Sequence, residues 1–279
     1  MLVQKITPQV VEWVRAQARA GHARDAVLQA MRSRGWDEHI AYAAISEAHK
    51  GAEEIPAPVL VPEPGAAEGS SFLQASDRKV QVLSEMQLPR LSVFGGFLGA
   101  GECDGLVELA RDRMVRSEVI DDWSGSGAVN VARTSEGMFF ERGENELVSR
   151  IEARIAELLK WPVERGEGLQ VLRYGPGHEY QPHHDYLSPS LGGDDRELRK
   201  CGQRVATLLM YLNDVESGGA TTFPDVGMRV LPIKGNATFF SYDRPHPVTR
   251  TLHAGAPVLA GEKWVATKWL RERAFSWPG

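Results

Sequence analysis

Two histidines and an aspartate stand out in this chain of 279 residues for the chemistry that their spacing permits. In LQVLRYGPGHEYQPHHDY, residues 169–186, His183 and Asp185 lie two positions apart. An extended backbone projects residues i and i+2 to one face, so an imidazole nitrogen and a carboxylate oxygen are offered to the same ion. A third ligand must come from elsewhere, and TLHAGAPVLAGEKW supplies His253. Two histidines and one carboxylate on one face of an octahedral ion leave three positions open. That suits Fe(II) binding a bidentate oxo-acid and then O2. The same residue types also hold zinc, so the triad alone leaves the metal open. An isolated H-x-D arises often by chance, and its neighbours have plainer readings. His184 faces away from His183 and Asp185, as a surface or supporting residue. His178 is a near neighbour that could be confused with a ligand, and His246 in RPHPVTR reads as a loop residue.

Lys263 follows His253 by ten residues. On a strand returning past the metal pocket, its ammonium would meet a carboxylate whose charge offsets the cost of burial. A solvent-facing lysine is the alternative, but the nearby Trp264 and Trp269 favour a packed strand. No Ser-His-Asp or paired-glutamate arrangement is recognisable, so no catalytic residue is expected beyond the ligands of metal and cosubstrate.

The elements that must position these groups are legible in outline. Residues 1–50 read as a small helical module that resembles the three-helix bundles of the ubiquitin-associated kind. Val10, Val14 and Ala18 make one stripe, Val27 and Met31 a second, and Ile40, Ala44 and Ile45 a third, with Gly21 and Gly35 as punctuation. Residues 51–73, with Pro56, Pro58, Pro62 and Pro64, read as an extended, unpacked linker. The segment 74–279 is mixed. Helical stripes occur at Leu106, Leu109, Ala110 and Met114 and at Leu147, Ile151, Ile155 and Leu158. Short β-type runs follow at 169–174, 204–212, 228–231, 237–242 and 263–270, separated by Gly and Pro turns. Helices first and many short strands afterwards predict an α+β fold, a jelly roll buttressed by helices and preceded by the small three-helix module.

Composition narrows the function classes. Apolar residues are 42% and charged residues 25%, as in ordinary globular proteins, and the net charge of −5 gives no electrostatic case for nucleic acid or an anionic membrane. Cys103 and Cys201 cannot make a disulfide framework. Residues 1–14 lack the uninterrupted apolar run of a signal peptide, and the apolar stretch at 205–212 is too short to span a bilayer, so the expected location is cytoplasmic.

Several motifs, in order, resemble the catalytic domain of the collagen and plant-type prolyl 4-hydroxylases. They are PRLSVFGGFLGAGECDGLVELA, RTSEGMFF, LQVLRYGPGHEYQPHHDY, TLLMYLNDVESGGATTFPDVG and TLHAGAPVLAGEKWVATKWL. The resemblance covers residues from about 80 to 279, outside the helical module. It implies a double-stranded β-helix in which His183, Asp185 and His253 bind Fe(II). Lys263 would pair with the distal carboxylate of 2-oxoglutarate, helped by Tyr174 and Thr221. Arg133, Ser135, Glu167, Tyr180, Arg204 and Trp269 would line the peptide groove. The implied reaction hydroxylates a peptidyl proline with 2-oxoglutarate and O2, releasing succinate and CO2, with ascorbate as a candidate reductant. One departure stands out: family members often carry a histidine two residues after the Trp of KW, where this chain has Arg271 in KWLRE.

Other readings keep the chemistry on another side chain, a free amino acid or a small molecule, or make the chain an O2- or 2-oxoglutarate-sensing binding protein. Nucleic-acid demethylation fits less well, because those relatives use arginine for the cosubstrate and basic strand-binding surfaces. A proline-containing peptide or protein is the expected partner, with a protein partner for residues 1–50. Residues 188–200 (SPSLGGDDRELRK) and 122–130 mix Gly with polar residues beside the motifs, as lids do.

Overall fold

The computed structural model describes residues 4–20, 22, 24–49, 55–65, 70–116, 119–120, 127–128, 135–187 and 196–276. It divides into two compact units, one holding the N-terminal helices and the other both main sheets. In the first, helices Pro8–Arg19, Arg24–Ser33 and Glu38–His49 share a core that includes Val14, Ala18, Val27, Met31, Ala44 and Ile45. Thr7 caps the first helix, its hydroxyl accepting the Val10 N–H, and Pro8 follows where no N–H is needed. Gly35, at φ +84°, makes the turn before the third helix.

The proline-rich segment departs from its expected unpacked state. Residues 57–65 carry no regular structure, yet Val61 is buried in the same core as Phe94 and Trp161. The Val59 N–H donates to Asp243 O at 2.8 Å and the Gly65 N–H to Leu158 O at 2.9 Å. The prolines keep the chain extended without N–H groups, and these two donors find carbonyls on the rest of the unit. A strand already begins at Phe72, ahead of the expected boundary at 74.

The second unit is built on a nine-stranded antiparallel sheet. Its order runs Phe72–Gln74, Lys79–Met86, Arg90–Gly95, Ala237–Ser241, Arg204–Tyr211, Lys263–Arg271, Leu169–Tyr174, Glu136–Phe140, Val115–Arg116. A four-stranded antiparallel sheet, Met228–Val230, Thr221–Phe223, His253–Gly255 and Tyr180–His183, carries the histidine motifs. Lys263–Arg271 is buried at every position, because both faces of the large sheet are covered. Trp264, Ala266 and Leu270 join the cluster that holds Leu106, Ile151 and Ile155 from helices Ala100–Arg111 and Glu146–Leu159. Val265 joins the opposite cluster with Leu172, Phe223 and Phe240. Period-two alternation thus sends one set of side chains toward the helices and the other toward the small sheet.

The two helices are tied to the sheet unit by charge as well as by packing. Arg154, almost wholly buried, forks between Asp77 and Glu102, and Arg78 and Arg150 also reach Glu102. Burial alone would raise the Glu102 pKa. Hydrogen bonds from Arg154, the Gly99 N–H and Arg150 reverse that and hold it at about 2. A carboxylate depressed by folding adds stability above its unfolded pKa and loses it as pH falls toward the folded one. Glu102 therefore contributes fully above about pH 4.5, and its contribution disappears as the pH drops through about 2. Urea unfolding at pH 6 and pH 2.5 should show Glu102→Gln removing on the order of 2 kcal/mol of the pH-dependent stability difference. An unchanged difference would assign the acid sensitivity to other carboxylates.

Candidate metal centre

His183 ends one strand of the small sheet and His253 begins its neighbour, and antiparallel pairing sets the two directly opposite each other. Their ring centroids are 4.3 Å apart. Asp185 lies two residues beyond His183, just past the end of the strand. Asp185 Oδ1 is 3.5 Å from His183 Nε2, and Oδ2 is 3.5 Å from His253 Nε2. One ligand atom from each residue falls within 4.8 Å of the others, and among the described residues this is the only such group.

The backbone selects which imidazole nitrogen faces inward. His183 Nδ1 lies 2.9 Å from Gln181 O, and His253 Nδ1 lies 3.0 Å from Thr251 O. With Nδ1–H donated to a carbonyl, Nε2 keeps its lone pair for an ion. Burial lowers the His253 pKa to about 4, so the imidazole is neutral, the form that ligates metal. Burial would raise Asp185, but His253, His183 and Arg204 around it hold its carboxyl well below the usual range. Thr207 donates to Asp185 Oδ2 at 2.7 Å, and Tyr242 Oη lies 3.0 Å from the Thr207 hydroxyl. Neither residue carried a signal in the sequence, where each reads as an ordinary strand residue. His184 points to the other face and stacks on Tyr186, centroids 4.6 Å apart.

The cavity over the triad is lined by Tyr174, Tyr180, Thr221, Lys263 and Trp269 among others. Lys263 is 4% exposed, and burial lowers its pKa to about 8, with no other contribution. Among the described residues no carboxylate pairs with it; its Nζ lies 5.7 Å from the Tyr174 ring centre and 5.9 Å from that of Tyr211. A buried cation without an anion is costly unless a ligand supplies one. Thr221 Oγ1 accepts from Tyr211 Oη at 3.0 Å. Tyr211 is a buried hydroxyl beside the lysine that the sequence gave no reason to select. The donor set and the unpaired lysine together fit an octahedral divalent ion with an anionic chelator beside it.

The expected groove residues divide. Tyr180 stacks on His183 at 3.7 Å, and Trp269 holds its buried Nε1 toward no partner among the described residues. The Arg204 guanidinium lies 4.0 Å over the Trp269 ring and forks onto Glu167 at 2.7 and 2.9 Å. Glu167 is buried beneath this arginine. Ser135 is fully buried at the start of Glu136–Phe140 and does not line the cavity. Arg133 lies outside the described residues, as do residues 188–195 of one expected lid; from Arg196 that segment is a short helix, Arg196–Cys201. Of residues 122–130 only Gly127–Ala128 is described, paired with Val119–Ile120. Arg271 is 0% exposed, bonded to Glu167 Oε1 at 2.5 Å and to Gly202 O at 2.9 Å.

Comparison with known proteins agrees with this geometry. The 2OG-Fe(II) oxygenase superfamily model matches residues 169–271, a range containing the triad and Lys263. The chain is 42% identical over 225 residues to prolyl 4-hydroxylase 1 of Arabidopsis thaliana, covering 74% of this chain and 77% of that protein. It is 40% identical over 221 residues to probable prolyl 4-hydroxylase 8 of the same plant, covering 72% and 74%. A viral collagen prolyl hydroxylase from Paramecium Bursaria Chlorella virus-1, solved as a 2OG complex, superposes with a TM-score of 0.50 at 34% identity. That match covers 65% of this chain and 95% of the viral one.

His253→Ala should abolish Fe(II) binding in an anaerobic titration while the metal-free protein melts within about 5 °C of the parent, since one truncated pocket residue costs on the order of 1 kcal/mol. Retained stoichiometric binding would remove His253 from the ligand set.

Proposed function

The chain belongs to the prolyl 4-hydroxylase family of 2OG-Fe(II) oxygenases, and from that premise we propose that it hydroxylates a peptidyl proline, consuming 2-oxoglutarate and O2 and releasing succinate and CO2. The observation that carries this reading is Lys263, a buried cation lacking an anionic partner among the described residues, in the same cavity as the triad. His183, Asp185 and His253 are the iron ligands, and the two facing sheets are read as a double-stranded β-helix. Bound iron supplies the oxidative chemistry that couples decarboxylation of the oxo-acid to oxygen insertion into a C–H bond. The protein's own share is placement. Three ligands leave room for chelator and O2, Lys263 pairs with the distal carboxylate, and Tyr174 and Thr221 border the same end of the cavity. Apolar walls such as Leu172, Leu209 and Val265 exclude water.

Tyr180, Trp269 and Arg204 are the favoured peptide contacts, with Glu167 holding Arg204 from beneath. Arg271 is turned inward onto Glu167, so the family's usual histidine has no counterpart offered to the peptide. This supports a target whose sequence differs from collagen-like repeats. Ascorbate is the proposed reductant and the cytoplasm the proposed location; no helix among the described residues is long and apolar enough to cross a membrane.

Lys263→Ala should raise the KM for 2-oxoglutarate by about 30-fold or more, since losing one member of a buried charge pair costs roughly 2–5 kcal/mol. Fe(II) affinity should change far less. Succinate release with a proline-containing peptide reads the first quantity, and an unchanged KM would assign the carboxylate to another cation.

The helices of residues 1–50 are proposed to recruit the protein target, raising its effective concentration at the site. A chain beginning at Ala57 should turn over a short peptide at the parental rate and lose efficiency only on a full-length target. One beginning at Phe72 should also melt lower, because it lacks the packed segment around Val61. Loss of peptide turnover in the Ala57 chain would make the helices structural supports instead.

A further inference from the structure

Thr207 is wholly buried and Tyr242 nearly so, in a region where Phe240, Tyr211 and Val265 form an apolar cluster. Valine at the strand position of Thr207, and phenylalanine just past the strand Ala237–Ser241 at Tyr242, would fill the same space equally well. Buried hydroxyls cost free energy unless they are hydrogen-bonded, so their placement calls for an account beyond packing. The two lie in line. Thr207 has a single hydroxyl proton and aims it at Asp185 Oδ2, 2.7 Å away. In the 3.0 Å contact between the two hydroxyls, Tyr242 is therefore the donor and Thr207 the acceptor. Two O–H groups point the same way and end on the one carboxylate of the metal triad. Asp185 also sits just past the strand end, where its carbonyl accepts a long contact of 3.5 Å from Arg204 Nη1.

We propose that Thr207, oriented by Tyr242, is a positioning residue that presents the Asp185 carboxylate to the metal through a single oxygen. The inference rests on the metal reading of His183, Asp185 and His253. Its consequence for chemistry is a matter of counting. Three protein donor atoms leave three of six positions for a bidentate oxo-acid and O2. A carboxylate free to rotate and chelate through both oxygens would take a fourth position and close one of them. Engaging Oδ2 with a short hydrogen bond opposes that rotation. Outer-shell partners of this kind typically account for 10–100-fold in metal affinity or activity.

The test uses the full chain and Co(II), a redox-stable probe whose visible absorption reports its ligand geometry. Thr207→Val keeps the buried shape and removes the donor. It is expected to weaken Co(II) binding about tenfold and to shift the visible bands, with a melting temperature close to the parent. Thr207→Ser restores the hydroxyl and should return affinity to within about twofold. Tyr242→Phe removes only the far O–H and should weaken binding about threefold; it decides the matter alone if the valine variant fails to fold. Parental affinity and an unshifted spectrum in Thr207→Val, or in Tyr242→Phe in that event, would overturn the inference. Asp185→Ala is the control that separates the two layers. If it too binds Co(II) normally, the metal reading fails and takes the inference with it. If it loses binding while Thr207→Val does not, only the inference falls.

Discussion

The register that sets His253 opposite His183 is the constraint on which the site depends. Side chains alternate along a strand, so a slip of one residue would turn one histidine to the other face and leave the ion two ligands. The pairing is irregular just beyond it. Between His253 and Gly255 the partner strand advances from His183 to Tyr180, three residues against two. Such a bulge bends the strand and re-aims its side chains. Here it sits where Tyr180 stacks on the His183 ring, so the residue bordering the cavity and the ligand beneath it are placed by the same local distortion.

The large sheet supplies what the small one cannot, a protected floor with charge built into it. Lys263, Val265, Thr267 and Trp269 line the cavity, while Trp264, Ala266 and Leu270 pack toward the helices. Lys263 is held away from water because its strand is paired on both sides, by Arg204–Tyr211 and by Leu169–Tyr174. A lysine on an edge strand would reach water and lose its use as a fixed cation. On the helix side of the same strand Lys268 is neutralised by Glu152, a carboxylate from the facing helix. The contrast is informative. One buried lysine has its partner within the chain, and the other has no carboxylate partner among the described residues.

Arg271, fully buried, is committed to the interior of the protein. It is paired with Glu167 and the Gly202 carbonyl, its own carbonyl accepts from Trp161 Nε1 at 2.9 Å, and so it shares with Arg204 a single buried carboxylate. Glu167 then serves two arginines, Arg204 and Arg271.

Much of the fold was legible because its signals are local. Helix stripes, glycine turns and alternating strands are short-range patterns, and His183 with Asp185 is a spacing that an extended chain resolves without further help. Lys263 was singled out only with the help of the family resemblance, since its tryptophan neighbours suggest a packed strand and say nothing of a ligand. The chain 57–65 misled, since its prolines describe an extended backbone but not what Val61 would find to pack against. Thr207, Tyr242 and Tyr211 were silent for the same reason. Each is an unremarkable residue in or just past a strand until strands far apart in sequence are laid side by side and its hydroxyl meets a partner. Spacing alone therefore singled out residues able to hold an ion and left its identity open, which the family resemblance narrowed to Fe(II). Only the tertiary structure decided which nitrogens face inward, which lysine stays without an anion among the described residues and which hydroxyls hold the carboxylate, because those depend on the register of non-local strand pairs and on what burial leaves unpaired.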